Sequence, residues 1–256
     1  MTSEIIQVEN IHKAYGAVQA VNGLSFTVHT GEIFGLLGPN GAGKSTTLSI
    51  LQGARRADAG RVTLFGLDNV THAGHIKARI GVQLQRTSLL PDLTVQQQVE
   101  LLAHLYRRAL TPASVGDLLA RVSLADKARA LPTNLSGGQQ QRLALCLALV
   151  NDPEIVFLDE PTAGLDPQAR RALWELMQRL RAEGRTVILT THYIEEAEAL
   201  CDRVGIIDGG KLLALDTPAA FSRQLLPTAS PATPAGRATN LEDVFLRLTG
   251  RALRES

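Results

Sequence analysis

The sequence predicts an α/β fold: a parallel sheet, an N-terminal antiparallel β layer and an inserted helical subdomain. The glycine-rich segment GPNGAGKST, from Gly38 to Thr46, follows an apolar run over 33–37 and leads into apolar residues at helical spacing. Short apolar runs alternate with helical patterns between 154 and 207, which is typical of parallel sheets. The first 65 residues contain runs with alternate apolar side chains, which predict the antiparallel layer.

The glycine-rich segment predicts a P-loop NTPase core and a nucleoside triphosphate as ligand. Glycines let the backbone approach a phosphate, successive N–H groups face it, and the following helix start adds about half a positive charge. Lys44 is expected to reach the β- and γ-phosphates, and the Ser45 hydroxyl to ligate Mg²⁺.

Residues 85–136 are predicted to form the helical insertion. A helix begins at Thr94, whose hydroxyl forms a capping box with Gln97, and another begins at Thr111 with proline in its first position. One face of the first helix is expected to carry Val95, Val99, Leu102 and Tyr106.

Strands are predicted at 154–158, 186–190 and 204–207, with helices between them. The helix that begins after Asp166-Pro167 is expected to bury Leu173, Leu176, Met177 and Leu180. The segment 227–239 contains three prolines and no large apolar residue, so it is predicted to be a flexible linker. We therefore divide the chain into an ATPase domain over 1–226, the linker, and a short C-terminal helix within 240–256.

The C-terminal helix carries an apolar stripe formed by Leu241, Val244, Phe245 and Leu248. The stripe can pack on its own subunit, on a second subunit or on a membrane protein. The sequence leaves this docking site open. Because four apolar side chains are many for so short a helix, we expect its removal to weaken assembly.

Composition excludes several function classes. With 26 basic and 25 acidic residues the chain offers no electrostatic footprint for independent binding to nucleic acid, so we expect no such partner.

The longest apolar stretch, Leu143 to Val150, falls short of the ~20 residues that a bilayer requires. The first ten residues lack the signal-peptide pattern, which predicts a cytoplasmic protein. Cys146 and Cys201 are interpreted as packing residues.

Two adjacent carboxylates, Asp159 and Glu160, follow the apolar run 155–158. Ligands bind at the carboxyl ends of parallel strands, so both are expected to face the nucleotide. Asp159 is predicted to hold Mg²⁺ through water and Glu160 to act as general base on the attacking water. A second glycine-containing helix start, LSGGQQQR from Leu135 to Arg142, is a further candidate anion site.

The phosphate loop, LSGGQ, FLDEP and a downstream histidine occur in this order, and together they resemble the nucleotide-binding subunit of an ABC transporter over about 5–215. The resemblance implies that Tyr15 stacks on adenine, that Gln85 senses Mg²⁺ and the attacking water, and that His192 contacts the γ-phosphate and supports Glu160. Gln83 competes with Gln85 for its role, and the strand end favours Gln85. The resemblance also makes 163–166 the loop that crosses between subunits, while Asp166 can cap a helix.

The strings TTHYIEEAEALCDR and LEDVFLRLTGR resemble the ATPase subunits of type 2 exporters, the drug-resistance and lipid-export branch. This implies a homodimer or heterodimer around two Mg-ATP and a separate integral membrane permease as partner, so that the subunit is peripheral on the inner face of the cell membrane. Two departures are a short segment before LEDVFL and Gln97 in place of a glutamate common in relatives. The alternatives are a soluble ABC ATPase acting on ribosomes or DNA, and an importer motor.

The predicted site residues fall into three groups. The catalytic candidates are Glu160, His192 and Gln85. The magnesium candidates are Ser45, Gln85 and Asp159. The nucleotide-binding candidates are Tyr15, Gly38, Pro39, Asn40, Gly41, Ala42, Gly43, Lys44, Ser45, Thr46, Ser136, Gly137, Gly138 and Gln139.

Overall fold

The computed structural model describes residues 3–85, 89–224 and 241–250. The predicted linker at 227–239 and the last six residues lie outside this part of the chain. In the described ranges, every helix is too short or too polar to cross a membrane.

An antiparallel sheet forms the N-terminal layer, as the alternating apolar residues predict. Its strand order is β2-β1-β4-β5. The strands are β1 (Glu4–Tyr15), β2 (Val18–His29), β4 (Ala59–Leu64) and β5 (Leu67–Asp68).

A second sheet of six described strands has the order β10-β9-β3-β8-β7-β6. Its first five strands in the chain are parallel, and β10 pairs with β9 in the antiparallel direction. The sequence reading did not include this last strand. The six strands are β3 (Ile33–Leu37), β6 (Ile80–Gln83), β7 (Ile155–Asp159), β8 (Thr186–Thr191), β9 (Arg203–Asp208) and β10 (Lys211–Asp216).

The parallel sheet is covered on both faces, which explains why its strands read as continuous apolar runs. On β7, Ile155 and Phe157 belong to the core shared with the antiparallel layer, whereas Val156 and Leu158 belong to the core under the helices. Successive side chains alternate between the faces. The next residue, Asp159, therefore points toward the antiparallel layer.

The helices cover the remaining surfaces. The capping box at Thr94 and the proline start after Thr111 are confirmed. The helix after Pro167 buries its predicted apolar face. The helices are α1 (Lys44–Leu51), α2 (Ala73–Lys77), α3 (Val95–Leu105), α4 (Pro112–Arg121), α5 (Gly137–Ala148), α6 (Pro167–Ala182), α7 (Ile194–Leu200), α8 (Pro218–Gln224) and α9 (Leu241–Thr249).

The predicted apolar face of α3 is correct only in its first half. Val95 and Val99 are fully buried, Leu102 is half-buried, and Tyr106 is 40% exposed. Because α3 ends at Leu105, Tyr106 is its C-terminal cap residue and no longer follows the helical periodicity.

The C-terminal helix α9 docks on its own chain, against α7 and α8. Leu241, Val244 and Phe245 are buried in the core under the helices, and the Leu241 N–H donates to Glu198 Oε1 on α7 at 2.9 Å. Leu248 remains 42% exposed. Most of the stripe therefore packs on its own subunit, which is one of the three docking sites that the sequence left open.

Candidate functional site

The glycine-rich loop joins β3 to α1 at the carboxyl end of the parallel sheet, in the predicted strand, loop and helix context. Gly43 adopts φ = 100°, and a Cβ there would lie 2.2 Å from the Ala20 carbonyl oxygen. A Cβ on Gly38 would lie 2.2 Å from the Ile207 carbonyl oxygen. These glycines thus let the loop pack against β2 and β9 as well as leaving room for a phosphate.

Lys44 folds back into its own loop. Its Nζ donates to the carbonyl oxygens of Gly38 at 2.8 Å and Pro39 at 3.1 Å, and lies 3.3 Å from Glu160 Oε1. The side chain is 4% exposed, and burial lowers the pKa of its ammonium group although Glu160 opposes that shift. The ammonium group lies at the centre of the loop, where it can contact a bound phosphate.

Asp159 faces α1, as the alternation along β7 requires. Its Oδ1 accepts hydrogen bonds from Ser45 Oγ at 3.0 Å and from Thr190 Oγ1 at 2.5 Å. The Thr190 hydroxyl also accepts the Glu160 backbone N–H at 3.0 Å. Thr190 therefore positions both carboxylates, a role that the sequence reading missed because pairing between β7 and β8 creates it.

Glu160 leaves the strand in a left-handed backbone conformation, with φ = 46°. Its Oε2 accepts from Gln85 Nε2 at 3.1 Å, and its Oε1 lies 3.4 Å from His192 Nδ1. Contact with His192 and the charge of Lys44 lower the pKa of Glu160 from its ordinary 4.5 to about 2, against the opposing effect of burial. Three segments far apart in the chain thus converge on one carboxylate.

The two competing glutamines lie in different places. Gln85 contacts Glu160, whereas Gln83 is buried and donates from Nε2 to Gln141 Oε1 on α5 at 2.6 Å. The geometry therefore favours Gln85 for the site, as the strand end predicted. The contact between β6 and α5 was not foreseen.

A cavity of about 350 Å³ opens in front of the loop. Tyr15 is 41% exposed and lies at this cavity, so it is not a core tyrosine. The Cζ of Arg55 lies 5.6 Å from the centroid of its ring. The described residues that line the cavity are Tyr15, Ala20, Asn40, Gly41, Gly43, Lys44, Ser45, Thr46, Gln85 and Glu160.

The second candidate anion site begins α5. Ser136 caps the helix: its hydroxyl accepts the Gln139 N–H at 3.3 Å, and the Gln139 side chain accepts the Ser136 N–H at 2.9 Å. Ser136 and Gly137 are exposed. None of the predicted residues 136–139 is among those described residues that line the cavity, so a single subunit does not bring them to the glycine-rich loop.

The segment 163–166 links β7 to α6. Asp166 caps α6 by accepting the Ala169 N–H at 2.8 Å, as its place before proline predicted. Gly164 adopts φ = 72° and is exposed. This segment begins three residues after Glu160.

Residues 21–163 match the family model described as ABC transporter. The chain belongs to the ABC transporter family. Members of this family hydrolyse ATP, and this ABC subunit is an ATPase. The match runs through the glycine-rich loop, the Ser136 segment and both carboxylates described above.

Curated relatives resemble the ABC subunit over nearly their whole length. The Nod factor export ATP-binding protein I of Burkholderia orbicola is 39% identical, covering 98% of this chain and 98% of the relative. The protein of the same name from Paraburkholderia xenovorans is 38% identical over the full length of both. The first alignment spans 299 positions against 256 residues here, so that relative has residues without a counterpart in this chain.

Solved structures agree with the fold. One described as the ATP binding subunit of an ABC transporter superposes with a TM-score of 0.80 at 27% identity, covering 96% of this chain and 99% of that one. The dimeric structure of a bacterial ABC transporter cassette superposes with a TM-score of 0.75 at 30% identity, covering 83% and 98%. The same cassette has been solved as a dimer in a post-hydrolysis state with ADP and Pi.

Proposed function

We propose that this ATPase is the motor subunit of an exporter, which pairs with a second ATP-binding subunit around two Mg-ATP and drives a separate integral membrane permease. One observation carries the dimer: the exposed start of α5 lies outside the cavity that its own glycine-rich loop lines. A second subunit can supply that helix start, with its Ser136 hydroxyl, the N–H groups of Gly137 and Gly138 and its positive dipole end, to the γ-phosphate.

The residues around the loop suit Mg²⁺, which prefers oxygen ligands and keeps several waters. Ser45 Oγ and Asp159 Oδ1 are 3.0 Å apart, and Gln85 approaches from β6. Among the described residues there is no group of three His, Cys, Asp or Glu side chains that could hold a metal alone. The ion would therefore depend on phosphate oxygens and water, as is usual in nucleotide sites. When bound, it neutralises charge on the phosphates.

Glu160 is proposed as the general base, with His192 and Gln85 as its supports. A carboxylate with a pKa of about 2 is a weak base, and its contact with Lys44 contributes to that low value. Phosphates bound near Lys44 neutralise part of the charge of its ammonium group and add negative potential at Glu160. Both effects raise the pKa of Glu160. Nucleotide binding thereby makes Glu160 a better proton acceptor where the attacking water is placed.

The remaining nucleotide contacts follow from the cavity. The exposed ring of Tyr15 offers a flat surface for adenine, and the loop 38–46 offers N–H groups to the phosphates. Residues 136–139 of each subunit complete the site of the other. We also propose the domain division predicted from the sequence, in which the ATPase domain spans 1–226. Its helical insertion near 85–136 carries this second helix start.

Export is favoured because the curated relatives are named export ATP-binding proteins. A location on the inner face of the cell membrane follows from a permease partner. An importer motor, or a soluble ATPase acting on ribosomes or DNA, is the alternative.

Co-expression with a candidate permease from a neighbouring gene tests the proposal. We expect the two proteins to co-purify and, in inverted vesicles, ATP to drive substrate into the lumen, which corresponds to export. A Lys44→Ala variant is the control that assembles but does not transport. Association with ribosomes or DNA instead of the permease contradicts the proposal, and transport in the opposite direction identifies an importer.

A further inference from the structure

Glu196 on α7 is a buried carboxylate to which the proposed mechanism gives no role. The residue is 0% exposed. Its Oε1 accepts a hydrogen bond from Thr162 Oγ1 at 2.8 Å and another from Trp174 Nε1 at 3.0 Å. The Thr191 side chain also lies beside this carboxylate and favours its charged form. Burial raises the pKa of this carboxyl group. The nearby Arg170 pairs instead with the exposed Glu195, at 3.8 Å.

The two hydrogen bonds connect elements that carry catalytic candidates. Thr162 lies two residues beyond Glu160, and Glu196 lies four residues beyond His192. Glu160 and His192 are in contact at 3.4 Å. The two chain segments are thus joined at two points, once in the site and once in the interior beneath it. Loss of the bond between Glu196 and Thr162 is therefore expected to change the contact between His192 and Glu160.

A parallel set of ring contacts holds the same helix start. The Cζ of Arg170 on α6 lies 4.6 Å from the centroid of the Tyr193 ring, and that ring lies 4.1 Å from the His192 ring. His192 and Tyr193 are half-buried, whereas Glu196 is buried, so the ring contacts and the Glu196 contacts lie at different depths of the same segment.

Stability by itself does not require a carboxylate here. A buried acid without a cation carries a large desolvation cost, and an apolar side chain of similar size often serves stability as well or better. The carboxylate is distinguished from an apolar side chain by its directed hydrogen bond with Thr162, because the thioether of a methionine is only a weak acceptor. An amide can make it through its oxygen.

We propose that Glu196 is a positioning residue, which holds His192 against Glu160 by bonding the chain two residues beyond Glu160. It touches neither the nucleotide nor the reacting atoms. The proposal rests on the proposed roles of Glu160 and His192 in hydrolysis. Thr162 and Trp174 are its partners, and Thr162 is the one that matters for the site.

The test compares Glu196→Met with Glu196→Gln in the full-length chain assembled with its permease. We expect the Met variant to lose about tenfold in kcat while its KM for ATP changes less than about twofold, because a small misplacement of a catalytic group costs 10-fold or more. The Gln variant should keep most of the activity, since its amide oxygen can accept both bonds. Glu175→Met, at an exposed position of α6 next to Trp174, is the matched control and should be unaffected.

A double variant decides whether the effect passes through His192. In single-turnover assays, Glu196→Met should cause little further loss when added to His192→Ala. An equal loss in both backgrounds overturns the proposal, and so does a lowered melting temperature with unchanged kcat. Full activity of His192→Ala overturns the role of His192 and this proposal together, whereas an inactive His192→Ala with a fully active Glu196→Met overturns this proposal alone.

Folding of each variant can be followed by far-ultraviolet circular dichroism. If Glu196→Met does not fold, the partners provide the test. Thr162→Val should lower kcat in the same way, and Trp174→Phe should have a much smaller effect because it removes only the bond to α6. The reverse order overturns the proposal.

Discussion

At the scale of single residues, Glu160, the proposed general base, shows how the fold holds a carboxylate beyond the end of a strand. The residue adopts φ = 46°, a conformation uncommon for a non-glycine residue, and the Thr190 hydroxyl holds its backbone N–H. Lys44, Gln85 and His192 surround its carboxylate. The local strain is offset by these contacts and places the side chain beyond the end of β7.

Replacing Glu160 by glutamine is expected to preserve ATP and Mg²⁺ binding but to lower turnover by roughly 100-fold or more, because an amide cannot accept the proton of the attacking water. ATP should then trap the dimer. Turnover is measured with the permease present, and dimers are detected by gel filtration with ATP. Glu175→Gln is the surface control, and near-wild-type turnover of Glu160→Gln contradicts the assignment of the base.

The low pKa of Glu160 has a consequence for acid stability. Its value of about 2 in the free protein lies below the ordinary 4.5, so the carboxylate contributes stability that is present above pH 4.5 and is lost as pH falls toward 2. Glu160→Gln lacks this contribution. Between pH 6 and pH 3 the melting temperature of the nucleotide-free wild type should therefore fall more than that of the variant. Parallel curves show that Glu160 does not have this pKa.

At the scale of elements, α5 connects the two halves of the proposed site. Its exposed N-terminus is capped by Ser136, and its body packs on β6, where a Cβ on Gly81 would lie 2.0 Å from the Ala148 carbonyl oxygen. The pair Gln83 and Gln141 adds a polar contact between the same two elements. The strand β6 thus contacts α5 both in its N-terminal half, at Gln141, and at its last residue, Ala148.

A bulky cation at the start of α5 should separate binding from turnover. Ser136→Arg leaves Lys44 and the glycine-rich loop intact, so nucleotide binding by the single subunit is expected to stay within about twofold. Turnover is expected to fall to background because the side chain obstructs the phosphate site of the other subunit. Glu175→Arg serves as the control for an added surface charge.

Mixing Ser136→Arg with Lys44→Ala sharpens this test. In a mixed dimer both changes fall in one composite site, which leaves the other site intact. Activity should therefore reappear on mixing two inactive variants. Full activity of Ser136→Arg alone rules out the shared site.

At the scale of the whole molecule, α9 closes the surface formed by α7 and α8. Its buried residues extend the core under the helices, and its first N–H is held by Glu198. Because α7 begins two residues after His192, the C-terminal helix stabilises the element that carries the site histidine. The linker before it lies outside the described residues.

Truncation after Thr239 is now expected to lower monomer stability. Burying Leu241, Val244 and Phe245 contributes about 1.5 to 3 kcal/mol each before ordering entropy is subtracted, so the melting temperature should fall by about 5 °C or more. ATP binding should persist. Glu198→Ala, which removes only the acceptor for the Leu241 N–H, should have a smaller effect. Unchanged melting with weaker ATP-dependent dimerisation restores the assembly role for this helix.

The sequence by itself was sufficient for features that depend on neighbouring residues. The spacing of a few neighbouring residues predicts each of these features. They are the glycine-rich loop between its strand and helix, the caps at Thr94, Thr111 and Asp166, and the apolar face of α6. Local backbone geometry determines these features, and local spacing therefore predicts them. The α/β fold class followed from the same patterns.

Only the tertiary structure decided which distant residues meet. Thr190 reaches both carboxylates because β7 and β8 pair in one register, and Glu196 reaches Thr162 because α7 packs against the chain beyond β7. The docking of α9 and the exposure of Tyr106 likewise depend on which surfaces remain free after the sheet is covered. The hydrophobic effect is non-directional. The spacing of apolar residues therefore predicts which face of an element is buried, but not which other element covers that face.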